Sequence, residues 1–435
     1  MLACLLISFF GSMFFSVPIA MAISFSSILS LKLFSHITPQ FIATQVFAAT
    51  NNFTLVALPF FMMAGALMQY GGVSKRLISF CKLFVGRMHG SLGMVTVLAC
   101  MLFAAISGSG PATVVSIGCI VLPLMEEEGY DMAYSGSLIA TAGGLGIVIP
   151  PSLPMITYAV LADVSVGALF AAGILPGIVL GVGLMIVNYF VCKKKGMGVI
   201  ETEKLTWKRF VAGLKESFLA LLMPVIILGG IYSGLFTPTE AGCVAVLYGL
   251  VVGIFVYKEI DRKMLKKILV DASVMAATAL LLMSMVDGFN WVLTITHVPQ
   301  ILSDFIVAHF STKYGFVLAL SVLLLVLGCL MSANAAVIIL TPICAPIAVR
   351  MGFDPLQLGI IEIVLLNIGC VTPPYGVHMF IAGGITHTPV NKMFKWIWIL
   401  VGSSLAITVL LIFVPEISLF LPKLFGVYKT AAVAL

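Results

Sequence analysis

Apolar residues run through this chain in stretches long enough to cross a hydrocarbon layer, and polar residues interrupt them in short clusters. A spanning helix needs about 20 mostly apolar residues. Runs at 2–30, 54–70, 167–192, 217–236, 239–257, 269–293 and 396–421 approach or exceed that length, and each is expected to span once. The first run has no basic residues ahead of it, so it is expected to be a retained helix rather than a cleaved signal peptide.

Two further regions are apolar but doubly broken. In 91–160 the breaks are Ser107-Gly108-Ser109-Gly110-Pro111 and the stretch from Gly143 to Pro151. In 315–386 they are Ser332-Ala333-Asn334 and the stretch from Asn367 to Pro374. The two regions align without a gap at an offset of 223, which pairs Ser109 with Ser332, Pro123 with Pro346 and Gly129 with Gly352. The same offset of 223 pairs Asp131 with Asp354, Gly146 with Gly369, Pro150 with Pro373 and Pro151 with Pro374. A register held over so many Gly, Asp and Pro positions is an internal repeat.

Charge orients the repeat. Basic residues cluster at Lys75, Arg76, Lys82 and Arg87, from Lys193 to Lys215, and at Lys258, Arg262, Lys263, Lys266 and Lys267. Lys and Arg concentrate in cytoplasmic loops, so all three clusters are expected inside. If Ser107–Pro111 is the tip of a re-entrant hairpin and 132–161 a broken helix that crosses outward, four spans separate the repeats and the second is entered from outside. The expected fold is therefore an all-α polytopic membrane protein with an inverted-topology repeat, two re-entrant helical hairpins and two broken helices. Its parts are N-terminal scaffold helices (1–90), the first hairpin and broken helix (91–161), and central scaffold helices (162–313) with the loop 193–215. The second hairpin and broken helix (314–386) and a C-terminal helix and tail (387–435) follow. A backbone that leaves the helix inside hydrocarbon exposes unpaired N–H and C=O groups at several kcal/mol each, so breaks persist only where they are buried or line a cavity. Ser, Asn, Thr and free carbonyls there suit a desolvated cation, and helix N-termini suit a carboxylate.

Composition agrees with a membrane protein. Of the 435 residues 61% are hydrophobic and 9% charged, too few charges to cover a soluble surface. The net charge of +6 belongs to the cytoplasmic loops and does not indicate nucleic-acid binding. Nine cysteines lie singly, as small apolar helix residues rather than ligands. Gly173, Gly177 and Gly181 share one helix face and allow close packing. Glu126, Glu127 and Glu128 read as a solvated loop. Asp163, Glu240, Asp287 and Glu362 lie in or near apolar runs, and His378 follows the second Pro-Pro, where it lines a site or carries protons. Their roles stay open. No catalytic motif and no phosphate-cradling loop has a credible location, so an enzyme is not expected.

Leu58-Pro59-Phe60-Phe61-Met62-Met63-Ala64-Gly65, with Gly71-Gly72-Val73-Ser74-Lys75-Arg76, resembles the large membrane subunit of tripartite ATP-independent periplasmic (TRAP) transporters. So do Ile106 to Val114, Ile149-Pro150-Pro151-Ser152, and Phe236-Thr237-Pro238-Thr239-Glu240-Ala241 leading to Tyr257-Lys258-Glu259. Ala66 departs from the Glu that many members place there. The resemblance covers nearly the whole chain. It implies an elevator-type ion-transporter fold in the bacterial inner membrane that imports organic anions, such as C4-dicarboxylates, with sodium as coupling ion and no other cofactor. It also implies a small membrane subunit and a soluble periplasmic substrate-binding protein as partners. Carried over, one sodium site takes Ser107, Ser109, Gly146, Ile149 and Pro151, and a second takes Ser332, Asn334, Gly369, Thr372 and Tyr375. Substrate is then expected near Pro111, Thr113, Asn334 and Thr372.

Two rivals remain on the residues alone. One is a stand-alone or proton-coupled anion carrier, which needs neither partner. The other is an intramembrane enzyme or lipid-handling protein, which needs catalytic groups at the midplane. The topology has a direct check: cysteines introduced in 193–215 are expected to react with an impermeant thiol reagent only from the cytoplasm, and cysteines in 350–354 only from outside. Labelling of both from one side would refute the inversion.

Overall fold

The computed structural model describes residues 1–428, apart from 16, 36–37, 39, 52, 86–88, 199–205, 298–300, 302–303, 305, 307–308 and 311. Arg87 and the middle of the loop 193–215 therefore lie outside the described residues. Within them the chain forms helices and no strands, and nine helices are long and apolar enough to cross a membrane.

The helices are α1 (Leu2–Phe14), α2 (Ile19–Phe34), α3 (Gln40–Thr50), α4 (Ala57–Tyr70) and α5 (Val73–Val85). The first repeat holds α6 (Ser91–Ser107), α7 (Gly110–Glu127), α8 (Met132–Gly143) and α9 (Leu153–Leu161). Then come α10 (Val166–Lys195), α11 (Trp207–Tyr232), α12 (Pro238–Leu250) and α13 (Arg262–Ile295). The second repeat holds α14 (Lys313–Leu330), α15 (Ala333–Arg350), α16 (Pro355–Gly369) and α17 (Val377–Thr386); α18 (Val390–Phe413) and α19 (Glu416–Leu424) close the chain.

Two expected single spans are each two helices. The run 2–30 breaks ahead of Pro18, and α1 folds back to pack on α2. Proline lacks the N–H that a helix interior needs and clashes with the preceding turn, so it starts α2 instead of continuing α1. The run 396–421 breaks the same way at Val414-Pro415. The short α3, which hydropathy did not mark, packs on α13, with the Phe41 and Trp291 rings 4.3 Å apart.

The repeat is visible atom by atom. Ser109 and Ser332 cap α7 and α15, and each side chain accepts the N–H three residues on. Asp131 and Asp354 cap α8 and α16, each accepting two backbone N–H groups. Gly129 and Gly352 both have positive φ, at 74° and 77°, a backbone that only glycine adopts without strain. Both Pro-Pro bonds are cis. The distal half of each broken helix packs on the other repeat: α9 lies on α15 and α16, and α17 on α7 and α8.

Helix α18 serves as a ruler for the inversion. At its first turns, Trp396 donates to the Asp131 carboxylate at 3.3 Å and the Met393 carbonyl accepts from Ser137 at 3.2 Å. Near its far end, the Leu411 and Ile412 carbonyls accept from Gln357 at 3.0 and 3.2 Å. Equivalent starts of the two broken helices thus sit on opposite ends of one helix, separated by roughly 22 Å of rise between Trp396 and Leu411. The end of α10, where the second basic cluster begins, lies on the Asp131 side. There the Lys195 ammonium approaches the Trp396 ring. Arg76 lies 3.6 Å over the Tyr257 ring and 3.7 Å from the Glu259 carboxylate. On the Asp354 side the Tyr428 hydroxyl donates to Asp354 at 2.7 Å. Burial, and then that bond, push its phenol up to about 12, so it remains a donor at neutral pH.

Small residues let these elements meet. On α10, Gly173 faces Met155 and the Val148 carbonyl, Gly177 faces Ile149, and Gly181 faces Met101. The glycine face noted in the sequence therefore receives the first break itself. Further along α10 the fully buried Asn188 accepts from the Tyr134 hydroxyl at 2.9 Å and donates to the Gly90 carbonyl at 2.9 Å. Asn188→Ala takes the acceptor from the buried Tyr134 hydroxyl and one of two donors from the Gly90 carbonyl, which keeps the Met94 N–H, and is expected to cost about 1–3 kcal/mol. Thermal unfolding in detergent checks this: the variant melts below the parent, and an unchanged midpoint contradicts the assignment.

Candidate functional site

The first tip is built from Ser107 to Thr113. Helix α6 ends at Gly108, in the left-handed conformation (φ 61°), where a Cβ would strike the Pro151 carbonyl. Ser109 turns extended and caps α7. The Ser107 and Thr113 hydroxyls lie 2.9 Å apart, and the Thr113 hydroxyl donates to the Ser109 carbonyl at 2.8 Å. Gly146, in the 3-10 turn Gly144–Ile147 that opens the first break, backs onto this group: a Cβ there would meet the Ser109 carbonyl and the Thr113 hydroxyl. Three oxygens thus converge from Ser107, Ser109 and Thr113, with no charged partner among them, a donor set that fits a hard cation. The Leu153 N–H bonds to the Gly108 carbonyl at 3.2 Å, and the Ser152 hydroxyl donates to the Ile147 carbonyl at 2.6 Å, so the break pairs its own free backbone groups.

The second tip follows the same backbone plan with different side chains. At the positions of Ser107 and Thr113 it has Leu330 and Ala336, each 223 residues on. Its polar groups come instead from Asn334 and Thr372. The Asn334 amide lies 2.9 Å from the Thr157 hydroxyl of α9, a contact between the repeats. Thr372 donates to the Ile368 carbonyl at 2.7 Å, and its own carbonyl accepts from Gly376 at 3.1 Å and from the Cys329 thiol at 3.2 Å. Gly369 backs directly onto Gly328 of α14. Tyr375 is 63% exposed.

The two breaks touch at equivalent positions. The Asn367 side chain lies against Gly144, where a Cβ has no room, and Asn367 is the residue 223 positions after Gly144. The pseudo-two-fold axis of the repeat passes between them.

A cavity of about 350 Å³ opens between the tips. Gly108, Ser109 and Pro111 line it from one side and Ser332, Asn334 and Ala335 from the other; Pro154, His378 and Met62 contribute further walls. Helix α13 closes it with Val274, Met275, Thr278, Ala279 and Leu282. Of the substrate residues expected from the sequence, Pro111 and Asn334 line this cavity. Thr113 is buried inside the first tip among the cation-type oxygens, and Thr372 lines a separate cleft beside Trp398. Thr157 and the α13 wall are additions that no local motif marks, because they enter only through the packing of one repeat on the other.

The other candidates resolve individually. Glu240 forms a capping box with Thr237 at the start of α12, a structural role. Glu126 and Glu127 are exposed. Asp163 lies beyond α9, in an outer pocket with Thr237 and Val427. Asp287 is partly buried on α13. Glu362 is fully buried in α16, where one oxygen accepts from Thr341 at 2.9 Å and the other has no partner. All nine cysteines are free.

Two inverted hairpins whose tips enclose a cavity, with two broken helices beside them, define a polytopic membrane transporter. The family described as "Tripartite ATP-independent periplasmic transporter, DctM component" matches residues 6–417, and the chain belongs to it as a large permease subunit, a multi-pass protein of the inner membrane. The isethionate TRAP transporter permease protein DctMQ of Oleidesulfovibrio alaskensis is 39% identical over 93% of this chain; the chain spans 64% of that relative's length. The C4-dicarboxylate TRAP transporter large permease protein DctM of Pseudomonas aeruginosa is 38% identical, with 93% of this chain and 94% of the relative covered. The sialic acid TRAP transporter large permease protein SiaM of Vibrio cholerae is 34% identical over 95% and 97%. These relatives are named as transporter subunits, not enzymes. Among solved structures, the Alcanivorax borkumensis YdaH transporter superposes with a TM-score of 0.61 at 16% identity, covering 91% of this chain and 90% of its own, a likeness of fold.

Gly146→Ala is expected to reduce transport by more than about ten-fold by forcing the Ser109 carbonyl and Thr113 hydroxyl apart. Gly229→Ala, on α11 with open space around it, is expected to leave transport unchanged. Uptake assays on both variants, at matched membrane abundance, check the assignment, and equal uptake by the two contradicts it.

Proposed function

We propose that this permease imports an organic acid together with sodium, by an elevator movement in which the two tips carry the acid past α13. The observation that carries this reading is the cavity shared by two oppositely oriented tips, with the uncharged oxygens of Ser107, Ser109 and Thr113 directly behind one of them. Relatives are named for isethionate, C4-dicarboxylates, sialic acid and 2,3-diketo-L-gulonate, and all of these are organic acids. Among the described lining residues there is no Lys or Arg, so a bound cation and the N-termini of α7 and α15 supply the positive potential that an acid needs. Sodium enters through the Ser107, Ser109, Gly146, Ile149 and Pro151 group and through Ser332, Asn334, Gly369 and Thr372 in the second repeat. Tyr375 is the weakest member of that second set, because its side chain is exposed. The α13 wall supports sliding. It is apolar except for Thr278, whose hydroxyl is used within its own helix at 2.8 Å, so a moving tip breaks no strong contact there. The partners are a small membrane subunit and a soluble periplasmic binding protein that delivers the acid.

Reconstitution with both partners tests the reading. Uptake is expected to require an inward sodium gradient and the binding protein, and Ser107→Ala is expected to raise the half-saturating sodium concentration about ten-fold, equivalent to one lost oxygen ligand of about 1.4 kcal/mol. Full uptake with neither sodium nor binding protein would favour a stand-alone or proton-coupled carrier, for which the buried Glu362 is the first group to examine.

A further inference from the structure

The cavity between the tips contains one polar side chain that the sites above leave unused. His378 is the second residue of α17, and its backbone N–H bonds to the Cys370 carbonyl at 3.0 Å, which fixes the start of that helix at the second break. Its ring is 2% exposed and lies over Gly110, the first residue of α7, so closely that a Cβ there would collide with Nε2 and Cε1. Nδ1 is buried with no hydrogen-bond partner.

Each of the other polar side chains named in the cavity has at least one hydrogen bond within the protein. The Ser109 and Ser332 hydroxyls cap helices, the Asn334 amide meets Thr157, and the Thr278 hydroxyl is spent on the Val274 carbonyl. Among the described lining residues there is no Lys, Arg, Asp or Glu. A buried polar group almost always has a hydrogen-bond partner, so an imidazole nitrogen without one needs an explanation. The repeat supplies the control. The residue 223 positions before His378 is Met155, which packs on Gly173. The architecture itself therefore asks for no polar group at this place.

We propose that His378 determines which acid this permease accepts: its imidazole donates a hydrogen bond to an oxygen of the bound organic acid, while the α7 and α15 N-termini face the acid's charge. The proposal rests on the reading of this cavity as the organic-acid site. An imidazole always carries at least one N–H, and a site built around such a donor rejects analogues that lack the matching oxygen.

The test uses the reconstituted permease with its partners and a panel of succinate, isethionate and N-acetylneuraminate. Sodium-driven uptake of none of them by the parent overturns the organic-acid reading and this proposal together. For an acid that is taken up, His378→Ala and His378→Phe are expected to raise the half-saturating acid concentration at least about ten-fold and leave half-saturating sodium within about two-fold. His378→Gln or His378→Asn, which keep an N–H donor, is expected to stay within about three-fold of the parent. His378→Phe keeps the ring volume, so it reads out the role even if His378→Ala fails to fold. Parental half-saturation in His378→Phe overturns the proposal and leaves the organic-acid reading standing. Equal loss in all variants, with the sodium response moving in parallel, assigns His378 to packing and also overturns it.

Discussion

Everything distinctive about this molecule follows from opening a helix backbone inside a hydrocarbon layer. Free N–H and C=O groups there cost several kcal/mol each unless they find partners. The chain answers locally. The Gly108 carbonyl takes the Leu153 N–H, the Ile147 carbonyl takes the Ser152 hydroxyl, and the Cys370 carbonyl takes the His378 N–H. These bonds join each break to its tip or to its own return, so tip and break hold one another in place. The carbonyls and hydroxyls left over are the groups available to ions.

The inverted repeat places those groups back to back. Gly144 and Asn367, equivalent by the repeat, touch at the centre, and α9 and α17 each reach across to the other hairpin. One cavity is thereby shared by two tips instead of each tip having its own. The backbone obeys the repeat closely, down to the capping Ser and Asp pairs and the positive φ of Gly129 and Gly352. The side chains at the tips do not: Ser107 and Thr113 have become Leu330 and Ala336. Backbone hydrogen bonding keeps the frame in both copies, and within that frame the two tips carry different oxygen sets.

Much of this was legible in the residues. The offset of 223 marked both hairpins and both breaks, and the basic clusters gave the inversion that α18 then measures directly. What hydropathy misread were proline breaks inside apolar runs, at Pro18 and Pro415, because a bent pair of helices is as apolar as a straight one. The membership of the cavity was only partly readable. Pro111 and Asn334 sit at tips and line it, whereas Thr113 and Thr372 point their hydroxyls back at their own backbones, a choice made by one turn of local geometry. The α13 wall, and Thr157 as the partner of Asn334, arrive through contacts between segments distant in sequence, which no local motif records.

The central claim is that acid and cation meet between the two tips. The most direct measurement is a cryo-electron microscopy reconstruction of the permease with its small subunit in a lipid nanodisc, with sodium and a transported acid present. The account predicts acid density between the Gly108–Pro111 and Ser332–Ala335 segments and an ion enclosed by Ser107, Ser109 and Gly146. Acid density in the outer pocket beside Asp163, with the space between the tips empty, would contradict it.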